Sequence, residues 1–202
     1  MVVGAVDEIL GIDVHEGFLF AARILEAGLL PRLDRSRPVH LTGHSLGGSL
    51  ATLLGLRLER KGDRVSVTTF GAPKITTFQA FATDERLHRL DLIRIVNDGD
   101  VLQHCPSVMD TSGRRVYAQF GRERTLTAGG ACEPTRLPAH LIKSASIVLD
   151  GNLPAWSPAA HGMPVYLERL GKLHAAGLPA ATVSMSPPLE RLRTGSVSGS
   201  MP

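Results

Sequence analysis

Val39-His40-Leu41-Thr42-Gly43-His44-Ser45-Leu46-Gly47-Gly48-Ser49-Leu50-Ala51 is the stretch that decides the fold. Val39 to Thr42 has the β-branched, apolar character of a short strand running into Gly43. From Leu46 to Lys61, Leu50, Leu53, Leu54, Leu56 and Leu58 recur at helical spacing. Between the two lies Gly-x-Ser-x-Gly, Gly43 to Gly47. The bare pattern arises easily by chance in a glycine-containing chain, but a strand before it and an apolar helix after it give it a physical meaning. A sharp strand-to-helix turn holds Ser45 in a strained conformation with Oγ lifted off the sheet edge. Gly43 and Gly47 are then expected as elbow residues where the two backbones approach too closely for a Cβ. The helix start brings the Leu46 N–H to the place where an oxyanion would form.

The flanking segments extend this unit. His15 to Leu33 reads as a helix through Phe18, Ala21, Ala22, Leu25, Leu29 and Leu33, and Arg64 to Phe70 reads as a strand ended by Gly71-Ala72-Pro73. Thr76 to His88 is a weaker helix, Leu92 to Val96 a buried strand, and Met163 to Ala175 an amphipathic helix. Val116 to Phe120 and Arg124 to Thr127 are expected to pair as a small hairpin, Ala128 to Pro138 to be loop, and Ala139 to Leu149 to be helix, with Ile147 to Leu149 also fitting a strand. Strands alternating with helices predict an α/β fold with a mostly parallel sheet. The expected domain is 1–176. Beyond Gly177 the Ser-, Pro-, Gly- and Thr-rich composition predicts a disordered tail, 177–202.

Composition narrows the function. With 202 residues there is enough chain for one α/β domain. The 22 basic and 19 acidic residues nearly balance, basic residues are scattered, and aromatics are 4%, so a nucleic-acid groove with stacking platforms is not expected. Gly17 to Leu30, the most apolar run, is cut by Arg23 and Glu26, so no transmembrane segment is expected. Cys105 and Cys132 have no metal-ligand spacing and read as ordinary thiols; neither a metal nor another cofactor is expected. The N-terminal residues lack a basic n-region and a small-residue cleavage site, so the expected location is the cytoplasm if Met1 is the start.

A nucleophilic serine needs a base, and the base needs an acid that orients it. In the fold that Gly-x-Ser-x-Gly suggests, these follow in the order serine, acid, histidine. Asn97-Asp98-Gly99-Asp100 after the Leu92–Val96 strand offers two acids, with Asp150 a third; the same tetrapeptide is also good turn chemistry. His140, His161 and His174 follow the first two acids. His174 fits a helix C-terminal cap, His140 a helix start, and His161 a loop before a helix.

Five pieces of the chain together resemble class 3 lipases, the fungal-lipase-like branch of the α/β-hydrolases. They are Val14-His15-Glu16-Gly17-Phe18; the Val39–Ala51 stretch; Thr69-Phe70-Gly71-Ala72-Pro73-Lys74; Arg94 to Val101; and, more faintly, His161-Gly162-Met163 with Tyr166 and Leu170. The resemblance implies Ser45 as nucleophile, Asp100 as the acid and His161 as the base of a triad. It implies hydrolysis of carboxylic esters, acylglycerol-type or smaller, through an acyl-enzyme, with an acyl ester or lipid as the partner bound. It also makes Tyr117 to Phe120 similar to the family's short strand after the acid loop. Met1 to Asp13 does not match the Arg-Gly-Thr/Ser motif that supplies the family's second oxyanion donor. That departure predicts a fold truncated at its N-terminus with an open sheet edge, one that a homodimer could pair. It also motivates an alternative: a catalytically impaired hydrolase-fold protein that binds lipid or a protein partner.

Overall fold

The computed structural model describes residues 4–106, 117–129, 132–134 and 158–177. Its centre is a five-stranded sheet built from β3 (Val39–His44), β4 (Val65–Phe70), β6 (Asp91–Asn97), β8 (Arg122–Leu126) and β9 (Cys132–Pro134), in that order. The first four run parallel and β9 is antiparallel to β8. A second, antiparallel sheet is made of short strands: β1 (Gly4–Val6), β2 (Asp13–His15), β5 (Thr76–Thr77) and β7 (Tyr117–Ala118). The α-helices are α1 (Glu16–Leu29), α2 (Leu46–Arg60), α3 (Phe78–Thr83), α4 (Glu85–Arg89), α5 (Pro158–His161) and α6 (Met163–Ala175), with 3-10 turns at Leu30–Arg32 and Leu102–His104. The mostly parallel sheet with helices is the α/β arrangement that the alternation predicts. Among the described residues β3 has a strand neighbour on one side only.

Helix α2 covers one face of the sheet, and the side chains explain why it can lie so close. Leu53, Leu54, Leu56 and Ala51 are buried with Val67 and Leu92 from the strands and Leu19 and Ala22 from α1. At Gly55 a Cβ would stand 2.7 Å from Val67 Cγ2, so the helix–strand contact is set by the missing side chain. The other face carries a smaller cluster, Ile95, Leu126, Tyr166 and Leu173, in which α6 packs against β6 and β8.

Two departures from expectation have physical causes. Helix Thr76–His88 is instead β5 followed by two short helices, because Asp84 turns extended and caps α4, its carboxylate accepting from the Arg86 N–H. The Val116–Phe120 with Arg124–Thr127 hairpin does not form: β7 pairs with β5, and β8 enters the main sheet beside β6. Strand β8, Arg-Glu-Arg-Thr-Leu, looks too charged for that position. Its Glu123 is buried because Arg94, its register partner on β6, meets it at 3.0 Å. Part of the expected 128–138 loop is also strand, as β9. Helix 139–149, Asp150, His140 and the 178–202 tail lie outside the described residues.

The N-terminal hairpin is tied to the helices by charge. Arg57 of α2, 3% exposed, donates to Asp7 Oδ2 at 2.6 Å, Glu26 Oε2 at 2.8 Å and Glu8 Oε1 at 3.1 Å. Asp7 also accepts from the Ile9 and Leu10 N–H groups, and Lys61 reaches Glu26 from the other side. Every buried charge in this cluster thus has an opposite partner, which is the condition under which such charges are tolerated.

Candidate active site

Strand β3 ends at His44 and helix α2 begins at Leu46, so Ser45 alone makes the turn. Its φ of 54° and ψ of −128° make it the single non-glycine residue with positive φ among those described. Such a conformation costs about 1–3 kcal/mol and persists only where its surroundings impose it. The imposition is visible. A Cβ on Gly43 would lie 2.2 Å from the Gly47 carbonyl oxygen, and one on Gly48 would lie 2.8 Å from Ala72 Cβ. Gly47 itself has nothing within 4 Å of where a Cβ would stand. The close approach expected of Gly43 and Gly47 is therefore met by Gly43 and Gly48; Gly47 contributes its carbonyl as the surface that Gly43 touches. The Ser45 carbonyl accepts from the Gly48 and Ser49 N–H groups. Leu46 and Gly47 precede them, among the N–H groups that a helix leaves without an internal acceptor.

Strand β6 leads to the two candidate acids. After Asn97 the chain turns through Asp98 and Gly99, and the Asp100 N–H donates to the Asn97 carbonyl. Asp98 points to solvent, whereas the Asp100 side chain is fully buried. The Asp100 carboxylate is surrounded by donors: the Leu102 N–H at 3.0 Å on Oδ1, the Tyr166 hydroxyl at 2.7 Å on Oδ2, and His161 Nδ1 at 3.1 and 3.0 Å. Residue types alone left Asp98 and Asp100 as alternatives, and the resemblance preferred Asp100, the one that is buried.

His161 closes α5, next to Gly162, from which α6 departs. Its Nε2 lies 2.8 Å from Ser45 Oγ, and its ring is 14% exposed on the side chain. A carboxylate can only accept, so Nδ1 carries the proton given to Asp100, and Nε2 is left as the acceptor for the Ser45 hydroxyl. Ser45, His161 and Asp100 thus form one continuous hydrogen-bonded line from three separate elements. His174 is exposed on α6, away from this line.

Three residues at the site carried no role in the residue-by-residue reading. Tyr166 donates to Asp100 and accepts from the Asn97 N–H at 3.1 Å, and burial beside the Asp100 charge pushes its phenol well above the usual tyrosine range. Asn97 holds the Ala160 carbonyl, and His44 holds that of His161. Tyr166 was marked in sequence by the family resemblance; for Asn97 and His44 the signal was position, a strand end and a place beside the serine. Gly71 explains its own identity. At φ +57° a Cβ there would meet Asp100 Oδ2 at 2.5 Å, the Tyr166 hydroxyl at 2.7 Å and His161 Nδ1 at 3.2 Å.

Among the described residues no group of three or more metal-ligating side chains occurs, and no helix is long and apolar enough to cross a membrane.

Comparison with known proteins places this geometry in context. Residues 2–109 match the family described as Lipase (class 3). A lipase of Caenorhabditis elegans is 36% identical over 76 residues, 36% of this chain and 21% of that protein. Secreted mono- and diacylglycerol lipase 2 of Gibberella zeae is 41% identical over 70 residues, 31% of this chain and 17% of that protein. In fold, the structure is similar to lipase II from Rhizopus niveus, with a TM-score of 0.58 at 23% identity over 79% of this chain and 61% of that one. The matched part of the chain spans about a fifth of the length of the two lipase sequences and less than two thirds of the solved one.

Proposed function

Because the chain belongs to the class 3 lipase family, we propose that it hydrolyses carboxylic esters, acylglycerol-type or smaller, through an acyl-enzyme on Ser45. The observation that carries this reading is the 2.8 Å contact of Ser45 Oγ with His161 Nε2, with Asp100 on the far side of the ring. His161 takes the serine proton as Oγ attacks the ester carbonyl, and returns it to the leaving alcohol. A water then follows the same path to release the acid. Asp100 fixes the ring's tautomer and faces the imidazolium while it exists. The Leu46 N–H receives the negative charge of the tetrahedral intermediate; a single donor of this type is worth about 10²–10³ in turnover.

The reaction needs no metal, since nucleophile, base and oxyanion donor are all supplied by the chain. The test is hydrolysis of a p-nitrophenyl ester series from acetate to dodecanoate by the purified chain beside Ser45→Ala. Turnover that disappears in the variant is the expected result, and the chain length with the highest kcat/KM assigns the acyl preference. Equal rates in the two proteins would overturn the reading.

A further inference from the structure

The base sits on a short segment. Helix α5 is four residues long, and His161 is its last. A side chain can be held only as well as the backbone that carries it, and the contacts of the His161 ring do not fix its peptide. A local bond from the Gly162 N–H to the Ala159 carbonyl and two side chains from the sheet do that. Asn97, at the end of β6, donates from Nδ2 to the Ala160 carbonyl at 2.9 Å. His44, at the end of β3, makes a 2.7 Å contact from Nε2 to the carbonyl of His161 itself. A carbonyl oxygen cannot donate, so Nε2 of His44 is the protonated nitrogen. The His44 ring also lies against the ring of His161, with centroids 4.8 Å apart, and edge-on to Tyr166 at 5.8 Å.

We propose that His44 is a positioning residue: by donating to the backbone of His161 it locks the base over Ser45, its own neighbour in sequence. The proposal rests on the reading of His161 as the general base. The nucleophile and the anchor of the base then move together, because both stand at the same strand end, one residue apart. Asn97 holds the preceding carbonyl from β6, and the Gly162 N–H donates to the Ala159 carbonyl at 2.9 Å within the segment; His44 adds the tie from the His161 carbonyl to β3 itself. A displacement of about 1 Å at a reacting group is enough to cost on the order of 100-fold in rate.

The experiment compares wild type, His44→Phe, which keeps a ring but loses the donor, and His44→Gln, which keeps an N–H at a similar reach. Each is measured for p-nitrophenyl ester turnover and for the low-field proton resonance of His161 Nδ1–H in its bond to Asp100. Thermal unfolding checks that each protein is folded. His44→Phe is expected to lower kcat by on the order of 10- to 100-fold with KM little changed, and to broaden the resonance through faster exchange with water. His44→Gln is expected to recover most of both. Wild-type values of kcat and of the resonance in His44→Phe would overturn the proposal, as would a His44→Gln protein as impaired as His44→Phe. If wild type turns over no ester, the hydrolase reading fails, and the resonance still decides whether His44 holds His161.

Discussion

Lys74 gives the sharpest energetic test. It follows the Gly71-Ala72-Pro73 turn, its side chain is 2% exposed, and its Nζ has no hydrogen-bond partner among the described residues. Burial, with the Arg94 charge adding to it, lowers its pKa from 10.5 to about 8, against a smaller opposing effect of Cys105. A base whose folded pKa is depressed binds fewer protons folded than unfolded between those two values, so stability rises with pH across that window. Below about pH 8 the lysine is charged in both states and the full penalty is present, about 3 kcal/mol for a shift of this size. Replacing it by methionine keeps the apolar stem and removes the charge. Lys74→Met is therefore expected to be more stable than wild type by up to about 3 kcal/mol at pH 7, the advantage falling by about 2 kcal/mol at pH 9.5. Urea unfolding of both proteins at the two pH values measures it, because every other titrating group is common to the pair. A difference that does not change with pH would refute the assignment of the penalty to a buried ammonium. A Lys74→Met protein less stable than wild type at pH 7 would refute the penalty itself.

Other perturbations have signs fixed by the same geometry. Gly71→Ala puts a methyl 2.5 Å from Asp100 Oδ2 at a positive-φ position, so ester turnover should be lost while the circular dichroism of the sheet and helices is retained. Tyr166→Phe removes the donor to Asp100 and the acceptor of the Asn97 N–H, and should cost about 1–3 kcal/mol in urea unfolding. Arg57→Met strands the buried Asp7 carboxylate and one oxygen of Glu26, and should cost about 3–5 kcal/mol, read as a fall in the urea midpoint with an unchanged slope.

The parts legible in the sequence were those whose cause is local. The Ser45 elbow is one: the residues that force it, Gly43 and Gly48, lie within five positions of each other, although the reading gave Gly47 the steric role that Gly48 has. The β4 strand and its Gly-Ala-Pro end, and the α6 periodicity, are equally local. What failed depended on distant partners. The strand at Arg124–Thr127 was expected, but its place in the main sheet was not, because Glu123 is acceptable there only beside Arg94, twenty-nine positions earlier. The break between α3 and α4 is the exception, a local cause that was missed: Asp84 caps the Arg86 N–H two residues on, and in sequence it looks like any surface aspartate. At the site, residue types alone left Asp98 and Asp100 equal, and the family likeness preferred Asp100; what distinguishes them physically is Tyr166, whose hydroxyl arrives from a helix sixty-six residues away. His44 and Asn97 grip backbone carbonyls, and no residue pattern records that.

The central claim is that Ser45 is an activated nucleophile, and fluorophosphonate labelling of the purified chain, read by intact mass beside Ser45→Ala, tests it most directly. A single adduct on the wild-type chain that is absent from the variant is the predicted result, since labelling requires both the His161 base and a working oxyanion site. A folded wild-type protein that takes up no label, or one labelled equally with and without the Ser45 hydroxyl, would contradict it.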